Sequence, residues 1–356
     1  MAFAIAAAVI AFLVSYLLTP GTASLARRWG ILDHPDTGGG RKQHGAATPY
    51  LGGIAIAVGF IAGGTLMAGA TGGLPETYVL GFAIALSLAV VGVADDIRPL
   101  PRTVKLVAQL AAALGAYGLG FRVSAFPWEA LNVIVTIVWI LGITNAFNLL
   151  DNMDGLTAGL AAIGAIAFAV MGVIAGPDAI AISGAALAGA SLGFLSHNRH
   201  PAKVFMGDAG SLLLGFSLAL LGVRLEFDNL TEVTFLVPVV VLGLPILDTT
   251  LVVGTRLAAR RSPFTGARDH VSHRLVRMGL PVRTAVGLLY WVAVCLGWLG
   301  LVITRSNTQV AWMLLGFVIA VGLFFLTFLV KIPADDSESK PIAAVQEPVD
   351  VEEAAR

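Results

Sequence analysis

The chain is short of two things that soluble proteins usually carry, charge and cysteine. Only 12% of its 356 residues are Asp, Glu, Lys or Arg, against 57% hydrophobic. A soluble domain carries roughly 25% charged residues, so a soluble enzyme is excluded and a polytopic membrane protein is indicated. The single cysteine, Cys295, lies inside an apolar run. A lone thiol excludes an internal disulfide framework, and a small buried apolar role is expected for it. No CxxC or HExxH pattern marks a zinc site. The opening residues, MAFAIAAAVIAFLVSYLL, lack the basic stretch of a signal peptide and are read as a retained first span. No sequence repeat stands out. The formal net charge is zero, no nucleic-acid partner is expected, and the informative feature is where the charges fall.

A helix crosses a bilayer with about 20 mostly apolar residues. Eleven segments qualify, at roughly 2–18, 51–71, 78–94, 104–120, 130–148, 158–175, 179–195, 211–223, 233–255, 284–304 and 311–330. The expected fold is therefore an all-α polytopic integral membrane protein with about eleven transmembrane helices. Alternate loops differ sharply in charge. One set, with Lys105 and the tail, holds 19 of the 22 Lys and Arg residues, while the other holds only Arg122, Arg224 and Arg305. By the positive-inside rule the rich loops are cytoplasmic, the N-terminus is outside and the C-terminus is cytoplasmic. Residues 1–332 then form the membrane domain, and 333–356 an acidic, disordered cytoplasmic tail. All six histidines and Asp95, Asp96, Asp151, Asp154 and Asp208 fall on the cytoplasmic side. Polar groups beside hydrocarbon are expensive and are usually kept for function.

Five stretches carry this chemistry. GVADDIRPLPRTVK (92–105) sets Asp95 beside Asp96. Adjacent carboxylates repel, so a divalent metal or a proton-accepting role explains the pair, as does plain polarity at a helix end. NLLDNMDG (148–155) spaces Asn148, Asp151 and Asp154 three apart, on one face if helical. Such a face suits a sugar, a base or Mg2+, and equally a cluster of caps and Asx turns. In VFMGDAGSLLLG (204–215), Asp208 stands between Gly207 and Gly210. These glycines allow close approach of a ligand, and the following helix start favours an anion; a simple cap by Asp208 or Ser211 is the alternative. RRSPFTGARDHVSHRL (260–275) is basic and holds His270 and His273, a spacing that suits a metal pair in surroundings that suit an anion. GRKQHGAATPYLGG (40–53) brings Lys42 and His44. Asp248, inside the ninth span, reads as a hydrogen-bonded carboxylate facing the bundle.

In this order, RKQHGAATPYLGG, DDIRPLPRTVKL, NAFNLLDNMDGL, VFMGDAGSLLLG and PFTGARDHVSHRL resemble the polyprenyl-phosphate N-acetylhexosamine-1-phosphate transferases, glycosyl transferase family four. The nearest branch is the undecaprenyl-phosphate N-acetylglucosamine 1-phosphate transferases. The resemblance implies transfer of a HexNAc-1-phosphate, chiefly GlcNAc-1-phosphate, from a UDP-sugar to undecaprenyl phosphate, with UMP released. It implies a bacterial cytoplasmic membrane enzyme of cell-envelope polysaccharide or teichoic acid synthesis, dependent on Mg2+ with Mn2+ as an alternative, and it leaves a homodimer open. Carried over by position, Asp95 and Asp96 are the catalytic pair, and Asp208 and Asp151 the metal ligands. Lys42, Lys105, Asn148, Asp151, Asp154, His270, His273 and Arg274 are then substrate contacts. Two positions depart from the pattern: Ser272 stands where a histidine is common, and Asn152 where a glycine is common. The alternatives are the phospho-MurNAc-pentapeptide translocase of the same family and, more remotely, an ion-coupled transporter centred on Asp248.

Overall fold

The computed structural model describes residues 1–33, 47–175, 178–225, 234–262 and 268–332. Lys42, His44 and the acidic tail lie outside these. In chain order the elements are α1 (Ala2–Trp29), β1 (Leu32–Asp33), β2 (Thr48–Pro49), α2 (Gly52–Ala70), α3 (Glu76–Ile97), α4 (Arg102–Gly118) and α5 (Glu129–Leu150). There follow α6 (Leu156–Ala175), α7 (Asp178–Asn198), α8 (Gly207–Val223), α9 (Val237–Val241) and α10 (Gly243–Ala258), then α11 (Val271–Arg277), α12 (Val282–Arg305) and α13 (Thr308–Val330). The two short strands pair antiparallel, Leu32 opposite Pro49 and Asp33 opposite Thr48. Among the described residues, eight helices are long and apolar enough to cross a membrane: α1, α2, α3, α5, α6, α7, α12 and α13. The chain is an all-α, multi-pass membrane protein.

The eight long helices fall at eight of the eleven expected spans; at three others α4, α8 and α10 are short, with 17, 17 and 16 residues. The ninth expected span, 233–255, is not one helix. A 3-10 turn at Thr234–Leu236 leads into α9, and the chain breaks at Leu242 before α10 begins. Pro245 explains the break, because proline lacks an N–H and its ring collides with the carbonyl four residues back. It is accommodated in the first turn of α10.

The first helix runs on to Trp29, well past the expected end at 18, with Pro20 inside it. Proline leaves the carbonyl of Tyr16 without its helical donor, and His197 Nε2 fills that gap at 3.0 Å. His197 thus has a structural task. The buried residues of α1, from Ala4 to Ala26, are all Ala, Ser or Thr. Such small residues let membrane helices approach closely, and the backbone of α7 comes against α1 at Gly189 and Gly193. Cys295 is not buried as expected but exposed on α12, on a surface it shares with Trp291 and Trp298. That surface suits lipid, so the residue keeps apolar surroundings without interior packing.

In α8, every residue from Gly207 to Gly222 except Asp208 is buried. A helix covered on all sides sits at the centre of its bundle. Around it pack α3, α5, α2 and α6. A Cβ added at Gly92 of α3 would lie 2.3 Å from the Ala209 nitrogen, and one at Gly53 of α2 would lie 2.2 Å from the Gly210 nitrogen. Both neighbours therefore meet the first turn of α8 backbone to backbone, which is how residues far apart in sequence converge on Asp208.

Candidate active site

The site begins at that first turn. Gly207 adopts the left-handed region, φ +68°, and a Cβ there would strike the Asp96 carboxylate at 2.3 Å. The space a side chain would fill is taken by Asp96, whose Oδ1 accepts the Asp208 N–H at 2.8 Å and whose Oδ2 accepts the Ala209 N–H at 3.3 Å. The first amides of a helix have no partner within it, and a carboxylate there also meets the positive end of the helix dipole. Asp96 is thus a cap for α8 supplied by α3.

Asp208 projects from the same turn. Asn148 Nδ2 donates to its Oδ1 at 2.9 Å, and Lys105 Nζ to its Oδ2 at 2.8 Å. Lys105 also donates to Asp95 Oδ2 at 3.0 Å, while the Leu100 N–H donates to Asp95 Oδ1 at 2.8 Å. One ammonium from α4 thereby bridges two carboxylates from α3 and α8. Asn148 makes a second bond, to Ser211 Oγ at 3.0 Å, and one turn back Asn145 Nδ2 donates to Gln109 Oε1 at 2.5 Å.

Asp151 follows the last turn of α5 and is exposed. The protein around its carboxyl, then the charges of Asp208 and Asp96, push it above the usual carboxylate range. Because the residue keeps a solvent-facing side, the crowding by two carboxylates is the firmer cause of that direction. Asp95 and Asp208 thus share the ammonium of Lys105, while Asp96 and Asp151 stand among the same carboxylate charges. Among the described residues no group of three His, Cys, Asp or Glu side chains forms a ready-made metal cage. Mg2+ asks for no such cage: one or two carboxylates suffice when phosphate and water complete its shell. Oxygen donors with an excess of negative charge fit that ion.

Other expected site residues stand apart from this cluster. Asp154 binds His200 Nδ1 at 2.8 Å and accepts the Ala202 N–H at 3.0 Å. It lines a cavity of about 620 Å³ with Arg199, Lys203, Arg283 and Tyr290. His270 Nδ1 donates to Asp248 Oδ2 at 2.7 Å, and Asp248 Oδ1 accepts the Val271 N–H at 2.7 Å. Asp248 is indeed a hydrogen-bonded carboxylate inside the bundle, and its partner is the histidine expected at the substrate. This bond fixes the ring of His270 and leaves Nε2 as the nitrogen that Asp248 does not hold. His273 is buried; loss of solvent, then the charges of His270 and Arg268, hold it at about 4, well below the usual imidazole value. Arg274, expected at the substrate, is 1% exposed and donates to the carbonyls of Asp269, Leu329 and Ile332. It ties α11 to the end of α13 and does not reach the cluster.

Several neighbours of the site escaped the sequence reading. Tyr50 feels the charges of Asp96 and Asp151 and bonds Asp33, and its ring centroid lies 6.0 Å from that of Phe205. Asp269 makes a buried two-point ion pair with Arg256, both contacts at 2.8 Å. These two carried no signal, since each partner comes from a distant element. Ser211, expected as an alternative cap, is instead tied to Asn148.

Residues 78–226 match the model of glycosyl transferase family 4; they contain the whole carboxylate cluster. The chain is 33% identical to the "Probable undecaprenyl-phosphate N-acetylglucosaminyl 1-phosphate transferase" of Bacillus subtilis, over 91% of each chain. It is 34% identical to the decaprenyl-phosphate N-acetylglucosaminephosphotransferase of Mycolicibacterium smegmatis, over 80% of this chain and 78% of the other. A phospho-N-acetylmuramoyl-pentapeptide-transferase from a Synechococcus strain is 38% identical, but over 50% of this chain and 54% of its own.

Proposed function

The chain belongs to glycosyl transferase family 4, and from that premise we propose that it transfers GlcNAc-1-phosphate from UDP-GlcNAc to undecaprenyl phosphate. The observation that carries this reading is the carboxylate cluster with its bridging lysine, at the ends of apolar helices where a soluble anion and a lipid anion can meet. The relatives similar over most of their length are named for N-acetylglucosamine phosphate transfer to a polyprenyl phosphate. The muramoyl-pentapeptide relative matches over about half of each chain, which ranks that donor second.

In the proposed reaction an oxygen of the lipid phosphate attacks the β-phosphorus of the donor. The bond from that phosphorus to the bridging oxygen breaks, UMP leaves, and a lipid-diphosphate sugar remains. Asp208 and Asp151 would hold Mg2+, which when bound would offset diphosphate charge and stabilise the leaving UMP. Asp96 keeps α8 in position, because both of its oxygens face the amides of that helix. Asp95, one of whose oxygens is held by the side chain of Lys105 instead of a helix amide, is the candidate to take a proton from the lipid phosphate once that lysine turns to the substrate. Lys105, which neutralises Asp95 and Asp208 between substrates, is free to turn to an incoming phosphate. His270, oriented by Asp248, presents Nε2 to an anion. Asp154 and the cations of the neighbouring cavity suit the nucleotide end of the donor. Positioning and charge stabilisation of this kind account for most catalysis of phosphoryl transfer.

In this reading the site faces the cytoplasm at the bacterial inner membrane, with the N-terminus outside. That sidedness rests on the distribution of Lys and Arg. The transporter alternative loses its basis, since Asp248 is occupied by His270 and Val271. The donor is tested with purified protein in detergent, undecaprenyl phosphate and Mg2+, offering UDP-GlcNAc, UDP-GalNAc and UDP-MurNAc-pentapeptide separately. UMP release with UDP-GlcNAc well above the other two is expected; preference for the pentapeptide donor would move the chain to the second reading.

A further inference from the structure

The arm that carries α11 is fastened firmly on one side. Asp269 grips Arg256 of α10, Asp248 of α10 receives His270 and the Val271 N–H, and Arg274 holds carbonyls at the end of α13. Ser272 points the other way. It is 1% exposed, and its hydroxyl donates to Asn152 Oδ1 at 2.9 Å. Its other neighbour, His273 Nδ1, is 3.4 Å away, too long to compete well.

Asn152 sits in the loop between α5 and α6, next to Asp151. Its Nδ2 donates to the Leu149 carbonyl at 3.0 Å, so the amide is held with its oxygen toward Ser272. The far end of the loop is tied separately, by the Gly155 N–H to Asn198 Oδ1 at 3.0 Å and by the Tyr290 hydroxyl to the Gly155 carbonyl at 2.5 Å. Asp151 itself stands among the like charges of Asp208 and Asp96.

We propose that the Ser272–Asn152 hydrogen bond pins the 151–155 loop to the fixed arm and so sets where Asp151 stands for donor binding, making Ser272 a positioning residue. The proposal rests on the reading of Asp151 as a donor-side residue. The two positions that depart from the family pattern are then partners: a hydroxyl short enough for the buried space meets the amide that a glycine would lack.

The test uses the full chain in detergent, comparing wild type with Ser272→Ala, Ser272→Thr, Asn152→Ala and the Ser272→Ala/Asn152→Ala double variant. A hydrogen bond of ordinary strength predicts a rise of roughly five-fold in donor KM for each single alanine variant. The acceptor KM should stay unchanged and the melting temperature should fall only slightly, as for loss of one hydrogen bond, while Ser272→Thr, which keeps the hydroxyl, should bring the donor KM back toward wild type. The double variant should be no worse than either single one, as for two residues acting through one contact. A wild-type donor KM in Ser272→Ala, additive effects, or an equal rise in both KM values would overturn the pin. Amide exchange of residues 149–155 separates the pin from the function: it should quicken in Ser272→Ala even if no donor is turned over, and unchanged exchange would refute the pin by itself.

Discussion

Asp208 is held from two directions, by Asn148 and by Lys105, and its backbone N–H is capped by Asp96. An asparagine in its place keeps an oxygen for Asn148 but sets an amide against Lys105 and removes a charged metal ligand. Asp208→Asn is therefore expected to elute as a folded monodisperse protein while turnover falls by roughly 10³-fold or more; UMP release and size-exclusion profiles check the two halves. Polar residues at the ends of apolar runs are conspicuous, so Asp95, Asp96, Lys105, Asn148, Asp151 and Asp208 were legible before any coordinates. Their division of labour was not. Nothing in the adjacency of Asp95 and Asp96 says that one caps a helix from another element, because the amides of α8 are more than a hundred positions away. Arg274 misled for a related reason: an interfacial arginine reads the same whether it reaches a phosphate or the carbonyls of α13.

At the scale of elements, the start of α8 depends on a backbone only glycine adopts easily. Gly207→Ala must hold φ +68° and displace the Asp96 carboxylate. The conformation alone costs roughly 1–2 kcal/mol, and loss of the cap adds to it. A lowered melting temperature together with strongly reduced turnover is expected, whereas Gly254→Ala in α10, where an added Cβ meets nothing, should match wild type in both. The α11 arm carries a pH dependence of its own. His273 is held at about 4 by burial and by the charges of His270 and Arg268, against about 6.5 when unfolded. The unfolded chain therefore binds the proton first. The stability tied to neutral His273 is full above about 6.5 and is lost as pH falls toward about 4, to an extent of about 3 kcal/mol at most. Melting temperatures between pH 7.5 and 4.5 should fall less steeply in His273→Gln than in wild type, provided that variant folds; equal slopes would assign the acid sensitivity elsewhere. The helices were mostly readable from hydropathy. The break at Leu242 and the run of α1 through Pro20 were not, because a proline ends one helix and is tolerated in another according to who takes up the freed carbonyl. In α1 that is His197, from another element.

For the whole molecule, the proposed sidedness rests on the distribution of Lys and Arg. Once Cys295 is changed to Ala, a cysteine at Arg122 should react with a membrane-impermeant maleimide in intact cells, and one at Arg199 only after lysis. The reverse pattern would invert the orientation and place the site on the wrong side for a nucleotide donor. The sequence alone indicated many spans and one polar face, since both are properties of runs and sums. Which helix lies at the centre was hidden, because α8 is no more apolar than its neighbours and only packing shows it surrounded. The central claim is that this polar face passes a sugar together with its phosphate to a lipid. The most direct measurement supplies UDP-GlcNAc labelled at the β-phosphorus, with undecaprenyl phosphate and Mg2+, and follows the label. Label recovered in the lipid fraction in equal amount with released UMP, and lost when EDTA is added, is the expected result. Label remaining in UDP, or sugar reaching the lipid without it, would contradict the account.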